Sequence, residues 1–196
     1  LKNLVVFASG SGSNFQSIID AISEERLDAK IVGFVSNNEF AHSIKRAQEN
    51  DIPVLIVSPS DFPSEKDYTS KLVNQLHSWK ADVLILAGYL KKIPSDIIAA
   101  YRNNILNIHP SLLPKYGGKG YYGIKVHEAV ITNNDFESGC TVHIVTDEYD
   151  EGPVLGQSIV KVLPTDTASD LAKKVLEKEH ELFPSVIKKH LLTQNK

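Results

Sequence analysis

The run Asp82-Val-Leu-Ile-Leu-Ala87 has four large apolar residues in a row and no polar side. Side chains of a strand alternate between two faces, so a strand without polar positions must be covered on both. Parallel sheets with helices on each face give that cover, and their strands read as near-continuous apolar runs. This run therefore reads as the middle of a buried parallel sheet. Leu4-Val-Val-Phe-Ala8, Lys30-Ile-Val-Gly-Phe-Val35 and Val54-Leu-Ile-Val57 read as further strands. Residues 15–22, 40–49 and 66–79 between them have helical spacing, the last with Tyr68, Leu72, Leu76 and Trp79 on one stripe. Strands alternating with helices imply right-handed crossovers. The expected fold is α/β, a Rossmann-like, mostly parallel sheet with helices on both faces.

The second half adds a different ending. Residues 138–146 read as a strand with Cys140, Val142 and Ile144 on one face and Thr141, His143 and Val145 on the other. The acidic turn Asp147-Glu-Tyr-Asp-Glu-Gly-Pro153 follows, and residues 154–162 return as an antiparallel hairpin. Thr165 or Thr167 caps a last helix striped by Leu171, Ala172, Val175, Leu176, Leu182 and Phe183, which Pro184 should kink or restart. Residues 188–196 read as a helix end and a frayed tail.

In open α/β sheets ligands bind at the carboxyl ends of strands. The first such end is Ser9-Gly-Ser-Gly-Ser-Asn14, a small-residue loop that opens a helix. Glycines at 10 and 12 allow a tight turn, and free N–H groups at a helix start favour an anion. The loop is either a phosphate cradle or a flexible turn in which Ser or Asn caps the helix. It is neither a Walker loop nor a dinucleotide fingerprint, since Phe stands at position 15. Ser36-Asn-Asn38 replaces the ribose-gripping acid expected of an NAD site. Gly88-Tyr-Leu-Lys-Lys-Ile-Pro94 follows the central strand on the same edge; its lysines are either a solvated pair or ligand contacts.

Leu106-Asn-Ile-His-Pro-Ser-Leu-Leu-Pro114 carries the strongest chemical signal. A strand over residues 105–109 points Asn107 and His109 the same way, and Pro110 ends it for want of an N–H. An amide and an imidazole then sit side by side at a strand's carboxyl end. The glycine-rich loop 115–123 follows. A carboxylate from the acidic turn brought near His109 would favour the imidazolium and raise its pKa. Otherwise that turn is solvated surface. Glu179 falls inside the apolar stripe of the last helix and needs a partner, either a basic side chain or a ligand's hydroxyls.

With 196 residues, 42% of them apolar, the chain suits one domain with a substantial core. A net charge of −3 gives no basic field for nucleic acid. No run approaches the ~18–20 apolar residues of a membrane span. The single cysteine, Cys140, allows no intrachain disulfide and reads as a buried, inert thiol in a reducing, cytoplasmic setting. The seven histidines and one cysteine show no metal-ligand spacing, so no metal is expected.

Leu106 to Tyr116 resembles the signature of the folate-dependent formyltransferases. Gly10-Ser-Gly-Ser-Asn14, Leu86-Ala-Gly-Tyr-Leu-Lys91, residues 139–153 and Glu179-His180 stand in the matching order over nearly the whole chain. Within that superfamily the N-terminal loop and short length resemble the branch that acts on glycinamide ribonucleotide in purine synthesis. The resemblance implies one formyltransferase domain over residues 1–196. Its N-terminal half would bind the nucleotide phosphate, and its C-terminal half would bind folate and hold the catalytic groups. Gly12, Ser13 and Asn14 would hold the ribonucleotide's phosphate and Glu179 its ribose. Leu90, Lys91, Lys92 and Ile93 would line the folate site, with Asn107, Thr146 and Asp147 contributing. Asn107, His109 and Asp150 would be the catalytic set, with 10-formyltetrahydrofolate as co-substrate. Leu113-Pro114 would be cis. A family position that is commonly basic and near the folate tail aligns with Glu65, beside Lys66. The 117–123 loop is longer than in the best-known members, and His127 is the candidate counterpart of family histidines there. The expected assembly is a monomer or weak homodimer, with no nucleic-acid or membrane partner. Alternatives are another formyl-folate enzyme, such as formyltetrahydrofolate hydrolase, and a non-catalytic nucleotide-binding module. The domains that the hydrolase and the tRNA enzyme normally add would not fit in this length.

Overall fold

The structure is a computed structural model and describes residues 1–193. The chain divides into two compact units, Leu1–Leu106 and Asn107–Lys196. The first contains β1 (Lys2–Phe7), α1 (Ser13–Ser23), β2 (Ala29–Ser36), α2 (His42–Glu49), β3 (Val54–Ile56), α3 (Glu65–Ser78), β4 (Val83–Leu86) and α4 (Ser95–Ala100). A 3-10 turn spans Pro59–Asp61 between β3 and α3. β1 runs parallel to both β2 and β4, and β2 parallel to β3. With a neighbour on each side, Leu4 to Phe7 and all of β4 are buried, as their unbroken apolar sequence requires.

Adjacent residues of β2 show that both faces are covered. Phe34 stacks on Phe15 of α1 at 4.8 Å between ring centroids. On the other face Gly33 leaves room for Trp79, which closes α3; a Cβ at Gly33 would lie 2.2 Å from the indole. Ser64 caps α3 by accepting the Asp67 N–H at 3.2 Å, and acidic Glu65 and Asp67 suit the positive end of the helix.

β5 (Ile105–His109) begins in the first unit and ends in the second, which also holds α5 (Ile124–Thr132), β6 (Glu137–Ile144), β7 (Val154–Lys161) and α6 (Ala168–Thr193). β6 and β7 pair antiparallel, and the strand order is β3-β2-β1-β4-β5-β6-β7. Thr167 and Asp170 form a reciprocal cap on α6: each backbone N–H donates to the other's side chain. α6 covers the hairpin, and Gly156 leaves space for Val186 and Leu182.

Pro184 does not restart α6, which is continuous through it. An interior proline costs about 3 kcal/mol. Phe183, Pro184, Val186 and Ile187 are all buried there, and apolar side chains are each worth about 1.5–3 kcal/mol when buried. Packing therefore outweighs the lost hydrogen bond. The helix runs on to Thr193, and the rest of the expected tail lies outside the described residues.

Candidate active site

β5 ends as its sequence dictates, with Asn107 half-buried and His109 only 5% exposed. The following loop is fastened to β6. Thr141 Oγ1 donates to the Ser111 carbonyl at 2.6 Å and accepts the Leu113 N–H at 3.0 Å. The Leu113–Pro114 peptide is cis. The loop then folds back so that the Tyr116 carbonyl accepts a hydrogen bond from His109 Nε2 at 2.7 Å. A carbonyl only accepts, so Nε2 carries the proton and Nδ1 is the nitrogen turned to Asp150, 3.6 Å from its Oδ2.

Asp150 arrives from the β6–β7 turn. The Ile144 N–H donates to the Pro153 carbonyl at 2.9 Å. Gly152 lies so close beneath that a Cβ there would meet the Ile144 carbonyl. Asp150 itself has a left-handed backbone, φ 57°. Its Oδ2 accepts the Gly118 N–H at 2.9 Å, and its Oδ1 lies 3.4 Å from His143 Nε2. His143, 2% exposed, donates Nδ1–H to the Ile144 carbonyl at 2.9 Å. Asn107 Nδ2 lies 3.1 Å from His143 Nε2. Asn107, His143, Asp150 and His109 thus form one chain of polar contacts inside the second unit.

Burial outweighs the neighbouring charges at His109 and His127, and is outweighed by its partners at Asp150. It pushes the His109 pKa down; Asp150 and the Tyr116 carbonyl push it back up, but the net position is below the ordinary histidine value. The expectation that Asp150 would raise it holds for the direction of Asp150's own effect and fails for the sum. His127, 4% exposed with no partner for Nδ1, is driven by burial and then by His109 to about 4. For Asp150 burial pushes upward, yet the His143 hydrogen bond, the His109 charge and the Gly118 N–H hold it below the usual carboxylate range.

The first unit holds the small-residue loop. Gly12, φ +72°, is the N-cap of α1, and no side chain caps the helix. The turn alternative with a Ser or Asn cap is therefore not what forms. Ser9 Oγ, paired with Asn37, accepts the Leu90 N–H at 2.8 Å and ties the 88–93 segment to the loop. Leu90, Lys91 and Lys92 are exposed there, and Ile93 is buried.

Residues 2–187 match the formyl transferase family. The chain belongs to that family. It is 44% identical over 187 residues to the chloroplastic phosphoribosylglycinamide formyltransferase of Arabidopsis thaliana, covering 95% of this chain and 64% of that one. The phosphoribosylglycinamide formyltransferase of Escherichia coli K12 is 37% identical over 185 residues, covering 94% and 85%. The crystal structure of the Bacillus halodurans phosphoribosylglycinamide formyltransferase superposes with a TM-score of 0.91 at 32% identity, covering 100% and 97%. The chain spans less than two thirds of the length of the plant relative.

Among the other residues to which the formyltransferase resemblance gives a role, Thr146 is half-buried and Asp147 exposed. Glu179 is buried in α6, 7% exposed. Its charge adds to burial in pushing the Cys140 thiol to about 12, so that cysteine is inert. Glu65 and Lys66 lie exposed in the first turn of α3. Three contributors were not singled out from sequence. His143 left a signal, a polar position beside Thr141 in a strand buried from Ser138 to Ile144. Tyr116 and Gly118 act through backbone atoms and leave none. Among the described residues no group of His, Cys, Asp or Glu could hold a metal ion, and no helix is long and apolar enough to cross a membrane.

Proposed function

We propose that the chain transfers the formyl group of 10-formyltetrahydrofolate to the amine of glycinamide ribonucleotide in de novo purine biosynthesis. The products are the N-formyl ribonucleotide and tetrahydrofolate. The observation that carries this reading is the buried His109 with half-buried Asn107 and Asp150 beside it, in a member of the formyl transferase family. The names of the Arabidopsis and E. coli relatives support the choice of acceptor. The reading takes residues 1–196 as one formyltransferase domain, cytoplasmic, and monomeric or weakly dimeric.

The amine attacks the formyl carbon, and negative charge develops on the formyl oxygen. Asn107 Nδ2, which has a second hydrogen beyond the one nearest His143, is a donor for that oxygen. Such a donor is typically worth about 3 kcal/mol in the transition state. His109 becomes the second donor when its Nε2–H exchanges the Tyr116 carbonyl for the oxyanion. A proton taken from solvent at Nδ1 turns the 3.6 Å approach of Asp150 into an ion pair while the oxyanion lasts, and returns to solvent when the oxyanion collapses. A histidine that is neutral at rest suits this use, because the imidazolium gains most when the oxyanion appears beside it. The amine proton passes to the folate nitrogen as the intermediate collapses. Gly12, Ser13 and Asn14 are assigned to the substrate phosphate and Glu179 to its ribose. Leu90 to Ile93, Asn107, Thr146 and Asp147 are assigned to the folate.

Tetrahydrofolate release is followed spectroscopically with 10-formyltetrahydrofolate and three alternatives: the ribonucleotide, no acceptor, or charged methionyl-tRNA. Release only with the ribonucleotide is expected. Release without acceptor would make the protein a hydrolase, release only with the tRNA a translation enzyme, and either would refute the proposal.

A further inference from the structure

The 10–14 loop is not shaped by its own residues alone. Helix α2 reaches it at two successive peptides. The Ser43 N–H donates to the Gly10 carbonyl at 3.1 Å, and Arg46 Nε donates to the Ser11 carbonyl at 2.9 Å. Both peptides are trans. In a trans peptide the carbonyl of one residue and the N–H of the next point in opposite directions. Holding the Gly10 and Ser11 carbonyls toward α2 therefore turns the Ser11 and Gly12 N–H groups away from it. These two, with the Ser13 N–H, donate to no acceptor among the described residues.

Arg46 is itself unusual in its partners. Its Nη1 donates to Gln16 Oε1 at 2.9 Å, and Gln16 in turn donates to Asp20 at 2.8 Å. Among the described residues Arg46 forms no ion pair with a carboxylate. A half-buried guanidinium thus spends its hydrogen bonds on a loop carbonyl and an amide, and its charge stays uncompensated behind a row of free N–H groups. The packing here is close as well. A Cβ at Gly12 would lie 2.5 Å from Ser43 Cβ and 3.4 Å from Arg46 Cδ. Ser43 is fully buried, and its Oγ has no partner.

We propose that Arg46 is a positioning residue for the phosphate site, acting through the Ser11 peptide to aim the loop's N–H groups at a phosphate monoester and supplying the positive charge behind them. This deepens the function proposed above and rests on that reading for the identity of the full substrate. Lysine would keep the charge, but it lacks the planar fork that reaches Ser11 and Gln16 together.

The test measures binding of ribose 5-phosphate and of inorganic phosphate by calorimetry to wild type, Arg46→Met and Arg46→Lys, with unphosphorylated ribose as control. The wild type is expected to bind ribose 5-phosphate, Arg46→Met at least about tenfold more weakly, a loss of about 1.4 kcal/mol, and Arg46→Lys in between. In turnover, Arg46→Met should raise KM for the ribonucleotide by a similar factor and leave KM for the formyl donor within about twofold. Thermal melts establish that each variant is folded; if Arg46→Met is not, Arg46→Lys carries the comparison. Three results would overturn the proposal: no phosphate binding by the wild type, wild-type affinity in a folded variant, or equal loss toward both substrates. Tight ribose 5-phosphate binding that depends on Arg46, without ribonucleotide turnover, would keep this assignment and remove the reaction.

Discussion

The 10–14 loop of the first unit and the histidine–aspartate chain of the second are built from different material, and the proposed function gives them different problems to solve. The loop presents backbone N–H groups, fixed by a left-handed Gly12 and by two hydrogen bonds from α2. The proposed catalytic chain consists of side chains from β5, β6 and the β6–β7 turn; burial holds the His109 pKa down, while its partners hold Asp150 down against burial. A backbone site recognises a constant group such as a phosphate and has nothing to titrate. A buried side-chain site has protons to move. Substrate affinity should therefore reside mainly in the first region and turnover mainly in the second.

The largest effect expected on turnover, after loss of His109 itself, comes from Asp150→Asn. It removes the carboxylate that faces both His109 and His143. We expect kcat to fall about 10²–10³-fold, on the scale of general acid–base contributions. Because Asp150 pushes the His109 pKa up, its removal should move the kinetic pKa further down. A variant whose kcat and pH profile match the wild type would mean that the carboxylate plays no part.

Gly12→Ala should act on the other side of the comparison. A left-handed non-glycine residue costs about 1–2 kcal/mol, and the added Cβ would press on Ser43. KM for the ribonucleotide should rise about tenfold or more, with kcat affected far less. An effect confined to kcat would break the division of roles.

Stability should depend on pH through the second region. The His127 pKa is lowered to about 4 from 6.5. The unfolded chain thus binds the proton first, and stability is fully present above pH ~6.5 and is lost as pH falls toward ~4. The loss amounts to about 3 kcal/mol over that window. His109 and His190, also shifted down by burial, add in the same direction. Urea midpoints of the wild type and His127→Gln from pH 7 to 4.5 isolate the His127 share; parallel curves would show that it contributes none.

The smallest effect should come from Asp135→Asn. Asp135 accepts the Tyr116 hydroxyl at 2.7 Å and pairs with Lys115 at 2.7 Å, so it steadies the residue whose carbonyl holds His109. A kcat reduced a few-fold, about 1 kcal/mol or less for exposed polar contacts, with KM unchanged for the ribonucleotide, is the expected result. A change in KM alone would place Asp135 elsewhere in the account.

The two regions were also unequally legible. Period-two alternation and Pro110 place Asn107 and His109 on one face of β5, and the glycine pattern marks the loop. The partners of both came less easily. Asp150 lies 41 residues beyond His109, and only family resemblance joined them. His143 could be assigned a strand face, but strand neighbours are not written in a local pattern. Arg46 sits on an exposed-looking helix, 35 residues from the Ser11 carbonyl it holds. Reading the His109 charge from its acidic neighbour alone gave the wrong net shift, because depth of burial is a property of the whole fold. That α6 does not restart at Pro184 was hidden for the same reason, since the packing that carries the helix through it comes from the tertiary structure.

The division of roles is tested most directly by measuring kcat and KM for His109→Ala across ribonucleotide concentration. The account predicts a kcat lower by about 10²–10⁴-fold, with KM for the ribonucleotide within a few-fold of wild type. Near-normal turnover, or a loss that appears in KM alone, would contradict it.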